Sequence, residues 1–158
     1  MKISLIHTGR TTEKYLQEGF SIYEKRIKRY ISFETIIIPD LKNVKNLDAA
    51  HVKGKEADIQ LNYIKNCDYL VLLDEWGKEM RSTAFANFLQ LRMNSSIKNL
   101  LFLTGGPYGF ADCIHAKANQ EISLSKMTFS HQLVRLLFVE QLYRAFSIIH
   151  HEPYHHEG

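Results

Sequence analysis

Along this chain the spacing of apolar positions switches between short continuous runs and helical periods, and each switch predicts an element. Lys2–Thr8 reads as a buried strand that ends at Gly9. Tyr15, Leu16, Phe20, Tyr23, Ile27 and Tyr30 then recur at helical spacing, with Lys25, Arg26, Lys28 and Arg29 mostly on the other side. Thr11 or Thr12 is expected to cap that helix. Residues 33–38 form a β-branched run stopped by Pro39 and Asp40, hence a second strand. Residues 46–66 predict a charged helix weakened by Gly54. Residues 69–73 predict a third strand closed by residues 74–77. Ser82 is expected to cap a helix whose Phe85, Phe88, Leu89 and Met93 share a face. Residues 100–103 predict a fourth strand, residues 110–118 a short helix, and residues 122–124 a short fifth strand.

A long last helix starts near His131. At about a hundred degrees per residue, Leu133, Leu136, Leu137, Val139, Leu142, Phe146 and Ile149 cover most of its circumference. Glu140, Gln141, Arg144 and Ser147 collect in one narrow stripe. A helix apolar nearly all round must be covered on more than one face. One face is expected to pack on the chain's own sheet and the rest on a second copy, making a homodimer.

Strands alternating with helices imply an α/β fold, a mostly parallel sheet with helices on both faces. No Pro/Gly/Ser-rich linker or repeat interrupts it, so residues 1–158 are read as one domain. With 45% hydrophobic residues the chain can build a core without disulfide or metal. Cys67 and Cys113 share no CxxC spacing, which points to a reducing, cytoplasmic setting. The apolar run at residues 3–6 is too short for a signal peptide, and no stretch approaches a membrane span. A net charge of +3 permits a nucleic-acid partner without demanding one.

The candidate chemistry begins at Thr104-Gly-Gly-Pro-Tyr-Gly109, after a strand and before a helix. Paired glycines let backbone approach a ligand with no Cβ in the way, although on the residues alone a tight turn is the simpler reading. A dinucleotide fingerprint fits poorly, because the spacing is wrong and the turn follows the fourth strand instead of the first. A phosphate loop fails for want of a Gly-Lys-Ser/Thr ending. What remains is a backbone-lined pocket at the carboxyl edge of a parallel sheet, reached by Leu73, Gly105 and residues 124–129. Leu73, Leu124 and Phe129 could equally be core. Glu140 and Arg144, four residues apart, suit an intrahelical ion pair. Ser130 can cap the last helix ahead of His131. The tail His150-His-Glu-Pro-Tyr-His-His156 invites a metal reading, but Pro153 breaks the helix face between His151 and His155, so no metal site is assigned. The basic run at residues 25–29 reads as a solvated face, or in a dimer as a contact for RNA phosphate.

Taken in order, Met1-Lys-Ile-Ser-Leu-Ile-His-Thr-Gly9, Tyr23-Glu-Lys-Arg26, Leu72-Leu-Asp74 with Gly77-Lys78, the Gly-Gly turn, residues 124–129, Leu142-Tyr-Arg-Ala-Phe146 and Pro153-Tyr-His155 resemble the SPOUT methyltransferases. More closely, they resemble the ribosomal RNA large subunit methyltransferase H family, over the whole chain. The resemblance implies a C-terminal trefoil knot, a homodimer, and S-adenosyl-L-methionine as cofactor. It further implies methylation at N3 of a pseudouridine in 23S rRNA on the assembled ribosome. A different RNA site, or ribosome binding without catalysis, are the alternatives.

By the same resemblance Leu73, Gly105, Leu124, Ser125, Lys126, Met127, Thr128 and Phe129 hold the cofactor. Arg144, His131, Tyr154 and His155 serve chemistry and substrate. This chain departs from the family twice. Ser130 stands where proline is usual, and His156 stands where a basic residue ends the tail.

Overall fold

Strand and helix alternate along the entire chain: β1 (Lys2–Thr8), α1 (Lys14–Ile27), β2 (Ser32–Ile38), α2 (Ala49–Ile64), β3 (Tyr69–Glu79), α3 (Ser82–Met93), β4 (Asn99–Thr104), α4 (Asp112–His115), β5 (Gln120–Ser123) and α5 (Leu133–Ile149). The computed structural model describes residues 1–154. All strand pairs are parallel, in the order β2-β1-β4-β3-β5.

The central strands read as continuous apolar runs because both of their faces are covered. Leu100 and Phe102 of β4 join one core with Ile3, Leu5 and Val71 and with residues of α1, α3 and α5. Leu101 and Leu103 join a second core with Ile6, Leu70 and Leu72, beneath α2 and α4. The period-two alternation of a strand sends successive residues to opposite cores. Phe102 and Phe138, both fully buried, pack with ring centroids 4.7 Å apart. Burying one such ring contributes roughly 1.5–3 kcal/mol.

Each departure from the predicted elements has a local cause. Neither Thr11 nor Thr12 caps α1; Glu13 holds that position without a side-chain bond, and the Thr12 amide donates to Gln132 Oε1 at 2.8 Å. Ser82 does not cap α3, because its hydroxyl donates instead to Gln141 Oε1 on α5. α2 is shorter than predicted and starts where Asp48 accepts from the His51 amide. α4 is a single turn, and β5 begins two residues earlier than its apolar run. β3 does not stop at Leu73. Its pairing with β5 shifts register between Leu73 and Lys78 and then resumes. Gly77 makes this possible, since a Cβ there would lie 2.7 Å from the backbone of Glu121 and Ile122.

α5 is covered largely from within the chain. α1 and α3 flank it, and every residue from Leu133 to Ile149 is buried or half-buried. Gly19 of α1 lets Leu136 come close, 3.1 Å from where a Cβ would stand. Much of the covering expected from a second copy is therefore supplied by the chain's own helices.

Two charged or titratable groups are buried near the carboxyl end of β1. His7 is buried and its Nδ1 donates to the Gly9 carbonyl at 2.9 Å. Arg135 of α5, also buried, donates to the Thr8 carbonyl and the Thr11 hydroxyl at 2.6 and 2.9 Å. Burial, with Arg135 adding to it, lowers the His7 pKa from 6.5 to about 4. The folded protein thus binds fewer protons than the unfolded chain between those values, so stability falls as pH drops through that window. The loss should reach about 3 kcal/mol and level off below it. His7→Gln should flatten that limb of the curve, as measured by urea denaturation at stepped pH.

Candidate active site

A cleft of ≈ 600 Å³ opens at the carboxyl ends of β3 and β4, where parallel sheets bind ligands. Leu73 ends its floor, residues 104–110 form one wall, and residues 128–131 with Val134 form the other. Chain connectivity alone would not bring these segments together; the adjacency of β3 and β4 does.

The glycine wall is built for close approach. A Cβ at Gly105 would meet the Gly109 Cα and the Phe110 ring at 3.4 Å, tight but bearable, so the absent side chain mainly leaves cleft space. At Gly106 a Cβ would collide with the Glu56 carboxylate. Gly109 sits at φ 74°, and its amide donates to the Gly106 carbonyl at 3.1 Å to close the turn.

Glu56 stands on the buried stripe of α2 with Val52, Ala57, Gln60 and Ile64. Its Oε2 has no hydrogen-bond partner among the described residues. Burial, and secondarily Asp40, raise its pKa. Sequence reading missed this residue, although a carboxylate and an amide at i and i+4 on a buried stripe were the available signal. It also missed Lys53, Trp76, Tyr108 and His115, all of which line the cleft.

Of the residues singled out from sequence, the cleft gathers Leu73, Gly105, Thr128, Phe129 and His131. The first half of the loop does not line it. Leu124 packs against the core under α5. Ser125 accepts from the Met127 amide at 3.0 Å and from the Ser123 hydroxyl through its carbonyl at 2.8 Å. Lys126 is exposed, 3.9 Å from Glu79. Met127 is 75% exposed and so forms no apolar wall; Phe110 and Val134 take that part. The Thr128 hydroxyl donates to Glu75 at 3.0 Å, tying this loop to the β3 bulge. Ser130 receives the Leu133 amide on its hydroxyl and the Val134 amide on its carbonyl, capping the first turn of α5 as its residue type suggests.

Arg144 and Tyr154 lie elsewhere. Arg144 is eleven residues beyond Leu133 on α5, roughly 16 Å along the axis at about 1.5 Å per residue. Its guanidinium grips Glu140 at 2.6 Å and lies 4.8 Å from the Tyr154 ring centroid. Burial works against that cation, but Glu140 outweighs it and raises its pKa. The Tyr154 hydroxyl donates to Glu140 at 3.1 Å and meets the Tyr23 hydroxyl at 3.1 Å. Burial, then Tyr23 and Glu140, push that hydroxyl well above the usual tyrosine range, so it keeps its proton near neutrality. His155 lies outside the described residues.

The cleft has the size and lining for a partly apolar small ligand. Its size falls in the ordinary ligand range, its walls are Leu73, Phe110, Phe129 and Val134, and backbone from Thr104 to Gly109 supplies polar contacts.

Comparison with known proteins agrees with this geometry. A family described as predicted SPOUT methyltransferase matches residues 1–155. The chain is 52% identical over 156 residues to a protein of Christiangramia forsetii named ribosomal RNA large subunit methyltransferase H, covering 99% of each. It is 51% identical over 157 residues to the protein of that name from Parabacteroides distasonis, covering 99% of this chain and 100% of the other. A probable methylase family protein from Haemophilus influenzae Rd KW20 shares the fold at TM-score 0.57 and 9% identity, over 94% of this chain and 66% of that one. A probable methyltransferase from Bordetella pertussis Tohama I does so at 0.54 and 10%, over 91% and 95%. With its backbone-lined cleft at the sheet's carboxyl edge, the chain belongs to the SPOUT methyltransferases, in the family of ribosomal RNA large subunit methyltransferase H.

Proposed function

We propose that this protein methylates N3 of a pseudouridine in 23S rRNA on the assembled ribosome, with S-adenosyl-L-methionine as cofactor. The observation that carries this reading is the glycine-walled cleft at the ends of β3 and β4 in a chain of this family. The cofactor, when bound, supplies a methyl group on a sulfonium. Leu73, Gly105, Thr128 and Phe129 line its pocket, and Leu124, Ser125, Lys126 and Met127 act by shaping the loop that presents Thr128 and Phe129. A trefoil crossing by α5 suits the return of β5 to the sheet edge beside β3.

The imide nitrogen of the acceptor must lose a proton. A guanidinium beside the neighbouring carbonyl oxygens favours the anion, which is the part given to Arg144. Tyr154 holds its own proton, so it positions Arg144 and Glu140. His131, at the cleft wall, takes the imide proton. His155 is assigned to the substrate by the family resemblance alone. Because Arg144 and Tyr154 lie along α5 away from the cleft, a complete site draws them from a second copy, which is the reason for a homodimer. A domain this small suits recognition of a ribosome's shape over sequence.

Ribosomes from a strain lacking this gene, incubated with the protein and labelled S-adenosyl-L-methionine, should yield methylated pseudouridine by mass spectrometry. Free 23S RNA should stay unlabelled, and a different labelled nucleoside would refute the assignment. Gly105→Val should remove cofactor binding in calorimetry while leaving the circular dichroism spectrum intact. Arg144→Ala should cut turnover at least tenfold and leave cofactor affinity within about twofold. Mixing these two variants should restore part of the activity, since one of the two sites in a mixed dimer has both residues.

A further inference from the structure

The β3 bulge holds Trp76 in a setting that the cofactor pocket does not explain. The indole is 87% exposed at the mouth of the cleft, and Tyr108, 51% exposed, lies on the glycine wall of the same cleft. A large apolar ring left in water gains no burial, and aromatic rings are far more often at least partly covered.

This exposure is held from three sides. The Trp76 amide donates to Asp74 Oδ1 at 2.8 Å, which fixes the turn leading into it. Glu75 is tied across to Thr128 on the opposite loop. Gly77 then seats against the backbone of β5 at a contact that no other residue could make, and β3 rejoins the sheet at Lys78. Four residues are thus spliced into a strand by anchors at both ends, and their net effect is to hold one aromatic plane outward beside the cleft.

Unpaired RNA bases are recognised by stacking on aromatic side chains. We propose that Trp76 is a stacking platform for a nucleobase of the RNA substrate, at or next to the nucleotide presented to the cleft. This rests on the methyl-transfer reading above. It commits to RNA because the platform borders the reaction cleft, and the net charge of +3 permits a polyanion. The occupant is a π-face, so shape and aromaticity of the side chain should matter more than its apolar area.

The test compares Trp76→Phe, Trp76→Leu and Trp76→Ala with wild type on ribosomes, with cofactor affinity by calorimetry as the control. Stacking predicts that Ala and Leu raise KM for ribosomes roughly tenfold with kcat little changed, while Phe stays near wild type. Leu matching Phe, or all three matching wild type, would overturn it.

Trp76 is the sole tryptophan, so intrinsic fluorescence reports on it alone. Free protein should emit as a water-exposed indole quenched by acrylamide, and S-adenosyl-L-methionine alone should leave emission unchanged. Shielded, blue-shifted emission would assign the ring to a contact between copies, and quenching by the cofactor alone would assign it to the cofactor pocket; either overturns the platform. If wild type methylates nothing, the methyl-transfer reading fails. Co-sedimentation with ribosomes then decides the platform, wild type binding more tightly than Trp76→Ala if it stands and equally if it does not.

Discussion

The double burial of the central strands governs what the rest of this molecule can do. Residues 100–103 of β4 send side chains into both cores and carry no polar group, as do residues 70–73 of β3. Backbone polarity inside those strands is consumed by the parallel ladder, so free amides and carbonyls become available only where the strands end. β3 and β4 end side by side, and a glycine turn at that spot opens main chain to a ligand without breaching either core. The cleft is where it is because a doubly covered parallel sheet leaves nowhere else for polar chemistry.

The same constraint explains the polar groups that do intrude. His7, Arg135 and Glu56 are buried near the carboxyl edge, by the loops that follow the strands. Each costs desolvation, seen in the lowered pKa of His7 and Arg135 and the raised pKa of Glu56. Hydrogen bonds offset part of this: Arg135 ties the segment after β1 to the first turns of α5. Glu56 lacks such compensation at Oε2 and lies directly beneath Gly106. An uncompensated carboxylate oxygen under the cleft wall fits a region shaped by its use.

α5 links the two halves of the proposed machinery. Its first turn, capped by Ser130, holds His131 and Val134 at the cleft. Its later turns carry Glu140 and Arg144, locked to Tyr154 and Tyr23 in one polar network. A rigid rod separates the two groups, so flexing within one chain cannot join them. In the proposed homodimer a second rod brings the later group of one copy to the cleft of the other.

Much of this was legible in the residues themselves. Strand and helix types follow from periodicity, because solvent exposure of one face imposes a period of 3.6 on α1, and double burial imposes unbroken runs on β3 and β4. Leu73, Gly105 and residues 124–129 could be placed at the sheet's carboxyl edge from the pattern of strands and glycines, whereas His131 was named through the family resemblance. Caps were less legible: Thr12 and Ser82 are good capping residues, but Gln132 and Gln141, more than fifty residues away, offer their own bonds. No local pattern encodes such long-range partners. The β3 bulge was hidden for the same reason, since Asp74 to Gly77 reads as an ordinary turn until β5 lies beside it. Sequence by itself determined which segments form strands and helices and that a glycine turn would follow β4. Tertiary structure decided that Met127 stays exposed outside the cleft lining, that Trp76 borders the cleft and that Glu56 lies under its glycine wall, because those outcomes depend on which strand ends meet across the sheet.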